Sequence, residues 1–95
     1  MSQSILQDEK VCWITGTPYN LHKHHIFFGT SNRKLSEKYG CWVWLRADWH
    51  NMADYGVHFN KKMDNDLKRI AQKKAMEVYG WSIEEFIRIF GRSYL

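Results

Sequence analysis

Cysteine and proline are scarce in this chain: two cysteines and one proline in 95 residues. Two thiols, Cys12 and Cys41, cannot build the dense disulfide framework of a small secreted fold. A single bridge is arithmetically possible, but two free or ligating thiols are the expectation in a reducing compartment. No apolar run approaches the roughly 18–20 residues that a membrane span needs, so no membrane association is expected. The opening MSQSILQDEK has neither the basic start nor the apolar stretch of a secretory leader, and a cytoplasmic location is expected. Repeats, low-complexity tracts and linker-like segments are also lacking. A single domain over 1–95 follows, burying roughly 60–65% of its unfolded surface. What the chain does have is 44% hydrophobic and 25% charged residues, a globular balance. Aromatics reach 16%, with five tryptophans, and lysine plus arginine exceed aspartate plus glutamate by 14 to 10. A net charge of +4 is compatible with an anionic partner without requiring one.

Composition divides the chain into three stretches. Residues 1–10 are polar and expected to be flexible. Residues 11–60 hold every histidine, both cysteines and the proline, and residues 61–95 read as a helical extension. In the extension, Leu67, Ile70, Ala71, Ala75 and Val78 recur at three- and four-residue steps, one face of a helix. Asp64 or Asn65 can cap its start, and Gly80 ends it. A second helix follows, with Ser82 and Glu85 as a capping box and Ile83, Phe86, Ile87 and Phe90 as its apolar stripe, stopped by Gly91. Upstream, Val11–Ile14 reads as a short strand and Thr15–Pro18 as a turn. His24–Phe28 reads as a strand, 33–39 as a short helix broken by Gly40, Cys41–Leu45 as a strand, and Ala47–Tyr55 as a helix closed by Gly56. The fold class is therefore α+β: a ββα unit on a short β-hairpin, followed by two C-terminal helices.

All five histidines, His22, His24, His25, His50 and His58, fall within 37 residues. Imidazole is the commonest protein ligand for divalent metals. Neighbours on a strand point to opposite faces, so only one of His24 and His25 can bind a given ion directly, and the other is free for different work. A strand histidine facing His50 and His58 from the following segment is fit to hold one divalent ion on two or three imidazoles.

The order and spacing of NLHKHHIFFG, NRK, SEKYG, WLRADWHN and GVHFN resemble the HNH, or ββα-metal, nucleases, and in particular small phage-encoded members ending in FGRSYL-like tails. The resemblance covers most of the chain. It implies that His24 is a metal ligand, that His25 is the general base that activates water, that His50 is the closing ligand and that His58 is a further histidine of the centre. It implies one divalent cofactor (Zn2+, Mg2+, Mn2+ or Ni2+) and hydrolysis of DNA phosphodiesters, in the cytoplasm of a bacterial host if the chain is phage-encoded. Many members also carry two CxxC pairs around a structural zinc. Here the corresponding tetrads read Cys12-Trp13-Ile14-Thr15 and Arg46-Ala47-Asp48-Trp49. Cys12 is left as a residual thiol ligand, and a closed four-ligand zinc site is expected to be gone. Trp13, Trp42, Trp44 and Trp49 are the candidates to pack in its place. The family's middle asparagine, which orients the base histidine, falls at Cys41, with Asn32 or Asn51 as possible substitutes.

Arg33, Lys34 and Asn32 follow the histidine strand, where a phosphate backbone would pass. Contacts of this kind give affinity without sequence readout, so weak sequence specificity is expected. A second functional class is a catalytically degenerate HNH scaffold that binds a protein or nucleic acid without cutting, such as a phage inhibitor of a host defence effector (anti-CRISPR-like).

Overall fold

A computed structural model describes residues 3–52 and 56–95, and its core element is an antiparallel hairpin. Strand β1, Leu21–His25, pairs with β2, Trp42–Arg46, with His24 opposite Val43 and His22 opposite Leu45. The connection between them holds helix α1, Thr30–Tyr39. A π-helical turn, Asp48–Met52, follows β2, then a 3-10 turn, Val57–Phe59. Helices α2, Lys61–Tyr79, and α3, Ile83–Phe90, complete the chain. The α+β class and the ββα order expected from sequence are both present. No described helix is long and apolar enough to cross a membrane.

Several boundaries differ from the sequence reading, each for a local reason. β1 begins and ends three residues earlier than the apolar run HHIFF suggested, because the hairpin register, and not hydrophobicity, sets its limits. Ile26 and Phe27 are buried beyond the strand end, with the Ile26 N–H donating to the Cys41 carbonyl at 3.0 Å. Val11–Ile14 is not a strand. Here the chain turns around the Cys12 sulfur, which accepts N–H groups from Thr15 at 3.4 Å and Arg46 at 3.2 Å. The long helix starts at Lys61, because Asn60 Oδ1 accepts the Met63 N–H at 3.1 Å, a cap ahead of Asp64 and Asn65. The helix expected over Ala47–Tyr55 is a single π-helical turn as far as Met52, and 53–55 lie outside the described residues. Residues 3–10, read as flexible, lie along β2. Ser4 Oγ donates to the Trp42 carbonyl at 2.6 Å, and Gln7 Oε1 accepts the Trp44 N–H at 2.8 Å. This segment satisfies backbone groups on the outer edge of β2 that would otherwise face water.

The hydrophobic core lies between the inner face of the hairpin and the helices. Val43 and Leu45 from β2, Phe27, Leu67, Ala71 and Ala75 of α2, and Phe86 and Phe90 of α3 are all buried. Phe27 packs against Phe86 and Phe90 with ring centroids 5.3 and 4.6 Å away. Each fully buried side chain of this size contributes roughly 1.5–3 kcal/mol relative to exposure. The α2 stripe is shifted from its expected face. Ile70 and Val78 are exposed, whereas Gln72 is buried, accepting the Tyr94 N–H at 2.6 Å and donating to Ser93 Oγ at 3.0 Å. That buried amide ties the C-terminal tail to α2. Of the four tryptophans named as candidates to pack where the zinc would be, Trp42 alone is buried. Trp42 and Trp44 lie on the outer hairpin face, edge to face at 5.3 Å, with the Lys23 ammonium 4.2 Å from the Trp42 ring.

Two contacts fix α1 against the hairpin and so set the geometry of the site. Buried Ser36 donates from Oγ to the Phe27 carbonyl at 2.6 Å and accepts the Phe27 N–H at 3.1 Å. Gly40 closes the helix in the left-handed region, φ 75°, beneath the Gln3 carbonyl and Ile5.

Candidate metal centre

Alternation along β1 decides which histidine goes where. His22 and His24 share the inner face with the register partners Val43 and Leu45, and His25 takes the outer face. His24 is buried at 1% exposure. The π-helical turn after β2 brings His50 against it, ring centroids 5.2 Å apart, and the 3-10 turn brings His58 to 5.1 Å. His50 Nε2 and His58 Nε2 are 3.0 Å apart. One nitrogen from each of His24, His50 and His58 lies within 4.8 Å of the others.

Both ring nitrogens of His24 are buried without a hydrogen-bond partner. A buried polar atom left unpaired costs roughly 1–3 kcal/mol, so native structures rarely keep one without a reason. Two imidazole nitrogens bound to one ion at about 2.0–2.1 Å sit roughly 2.8–3.4 Å apart for coordination angles between a right angle and the tetrahedral value. The His50–His58 separation falls in that range, and the donors are all imidazoles, the set suited to zinc, nickel and other borderline divalent ions. The three residues fit a divalent cation. Electrostatics agree with this. Burial first, then the neighbouring His50, His58, His25 and Lys68, pull the His24 pKa down to about 3. Burial and the adjacent His58, His22 and His25 pull His50 down to about 4. Both rings are therefore held neutral, the form that binds metal.

His25 stands apart from this trio. Its Nε2 lies 2.8 Å from Glu37 Oε1, and the Lys23 ammonium meets the same carboxylate at 3.2 Å. The hydrogen bond from His25 leads the influences that hold the Glu37 carboxyl below its ordinary range, with Lys23 adding to it. An ionised carboxylate only accepts, so His25 donates from Nε2, and Nδ1 is the nitrogen left facing away from Glu37. A cleft of about 470 Å3 joins His25 to the trio, with His24, His25, His50, His58 and Arg33 on its walls. Gly29 and Thr30 line it too, at an α1 N-terminus without a side-chain cap. Lys34 flanks an adjoining hollow with His25, Arg33 and Glu37.

Two candidates lie elsewhere. The Asn32 amide donates to the Phe90 carbonyl at 3.0 Å, closing the end of α3. Cys12 is buried and free, grouped with the Thr15 and Arg46 amides and not with the imidazoles. Burial raises its thiol pKa, but hydrogen bonds from Thr15, Arg46 and Ile14 outweigh that and leave it lowered. Cys41, where the family's asparagine would fall, is buried and pushed up to about 12 by desolvation, an inert thiol. Arg46, which opens the second of the two tetrads, pairs in a fork with Asp48 at 2.6 and 2.8 Å.

Sequence reasoning missed Glu37 and His22. Glu37 stood in SEKYG with no sign of which way α1 would face. His22 stands two residues before His24, and strand alternation alone places it on the same face. Compared with known proteins, the chain matches no protein-family model, no curated protein and no solved structure.

Proposed function

We propose that this protein is a metal-dependent phosphodiesterase acting on DNA, of the HNH type that its histidine pattern resembles. The reading is supported by the buried, unpartnered His24, clustered with His50 and His58 on one cleft with His25, whose ring Glu37 holds from behind. His24, His50 and His58 are the residues that would hold the cation. A divalent ion there supplies a Lewis acid that neutralises charge on the phosphate and the departing oxygen. His25 takes the proton of the attacking water on Nδ1, while Glu37 holds the ring's orientation and stabilises the imidazolium that forms. Arg33, with the uncapped start of α1, receives the scissile phosphate, and Lys34 extends the contact along the backbone. Phosphate contacts without base readout give weak sequence specificity.

The test is plasmid cleavage by purified protein in Mg2+, Mn2+ or Ni2+. Chelator is expected to abolish cutting, and His25→Ala to slow it by roughly 10²–10⁴-fold with metal affinity retained. Protein that binds metal yet leaves DNA intact in all three ions overturns the enzymatic reading. It would make the chain a binding scaffold, of which an inhibitor of a host defence effector is one form.

A further inference from the structure

The second edge of the His50 ring carries a consequence for the metal centre. His22 Nδ1 lies 3.0 Å from His50 Nδ1, with the two rings perpendicular and their centroids 5.2 Å apart. His50 is thus gripped through both nitrogens, Nδ1 by His22 and Nε2 by His58. A neutral imidazole carries one N–H. If Nε2 of His50 and Nε2 of His58 both offer lone pairs to a cation, the His50 proton must sit on Nδ1, aimed at His22. His22 must then accept through Nδ1 and keep its own proton on Nε2. In the opposite tautomer the His50 proton would lie between the two Nε2 atoms and block the pair.

We infer that His22 is a positioning residue that holds His50 in the one tautomer and ring orientation able to bind metal, without itself being a ligand. This rests on the metal-centre reading above. A hydrogen-bond partner behind a ligating histidine raises its basicity and fixes its ring, and losing such a partner typically weakens metal affinity by about 10–100-fold. His22 Nδ1 does not join the close trio of ligand atoms formed by His24, His50 and His58, which is why it is assigned support and not ligation.

The experiment is a Co2+ titration of the full chain, followed by visible absorption and by competition with a chromophoric chelator, on three proteins. His22→Phe keeps a ring of similar size and removes the acceptor. His22→Asn places Oδ1 near the position of Nδ1. Folding of each is checked by circular dichroism. The inference expects His22→Phe to bind about 10–100-fold more weakly and His22→Asn to recover to within about threefold of the parent. His22→Phe binding as tightly as the parent overturns the inference and leaves the metal centre standing. Both variants equally weak also overturns it, since the role would then be packing. A parent chain that binds neither Co2+ nor Zn2+ overturns the metal centre, and the inference falls with it. If neither variant folds, long-range 15N NMR of the Zn2+-loaded parent decides. Protons on His50 Nδ1 and His22 Nε2 support the assignment, and a proton on His50 Nε2 refutes it.

Discussion

Acidification of the metal-free protein should destabilise it through His24. In the unfolded chain this imidazole titrates near 6.5, and in the folded protein burial and the surrounding His50, His58, His25 and Lys68 hold it near 3. The unfolded state therefore binds the proton more readily. The stability contributed by keeping His24 neutral is fully present above pH 6.5 and drains away as pH falls towards 3. At pH 5 the gap from 6.5 is 1.5 units, and at about 1.4 kcal/mol per unit His24 alone removes about 2 kcal/mol. His50, held near 4, acts in the same direction. The repulsion between the two rings is shared, so their losses do not add in full. A domain of this size has roughly 5–15 kcal/mol in all, and 2 kcal/mol is a large fraction of that. Urea unfolding with chelator present at pH 8, 6 and 5 measures it. With a slope near 1–2 kcal/mol per molar, the midpoint should fall by about 1–2 M between pH 8 and pH 5. His24→Leu should flatten most of that dependence. A parent midpoint that does not move between pH 8 and pH 5 would show that His24 is not held neutral by burial, and the reasoning would fail.

Glu37→Gln should cut single-turnover DNA cleavage by about 10–100-fold while leaving DNA affinity in a gel-shift assay nearly unchanged, because it loosens the base and not the phosphate contacts. An unchanged cleavage rate would remove Glu37 from the mechanism. Gly40→Ala should destabilise by about 2–4 kcal/mol, read as a lowered urea midpoint. The residue sits at φ 75°, and a Cβ there would strike the Gln3 carbonyl and crowd Ile5. A loss under about 0.5 kcal/mol would mean that the N-terminal segment does not hold its place over α1.

How much of this could be read from the sequence depends on whether a feature was set locally. The ends of α1, α2 and α3 at Gly40, Gly80 and Gly91 were legible, because a left-handed residue closing a helix is a property of one position. The Ser82 cap was legible for the same reason, its Oγ accepting the Glu85 N–H at 3.1 Å. Boundaries set by pairing were not. The register that stops β1 at His25 depends on Trp42 across the sheet, and the apolar run HHIFF carried no sign of it. Nor could periodicity show that Ile70 would face water while Gln72 went inward, since that choice follows from the C-terminal tail returning to hydrogen-bond the amide.

The site divides along the same line, and the division bears on its chemistry. That His24 and His25 must serve different roles follows from strand alternation alone, and their partners differ accordingly: His50 and His58 for one, Glu37 for the other. What sequence could not supply was the second partner of each working histidine. Glu37 reaches His25 because Ser36, one residue earlier, is pinned to the Phe27 backbone and fixes which side of α1 faces the strand. His22 reaches His50 because a turn after β2 folds back across the inner face of β1. In both cases the residue that bears the chemistry was visible as a type, whereas the one that orients it was created by a tertiary contact. On the proposed reading, a chain can therefore keep His24, His25, His50 and His58 and still lose activity through Ser36 or His22, which act only by orienting them.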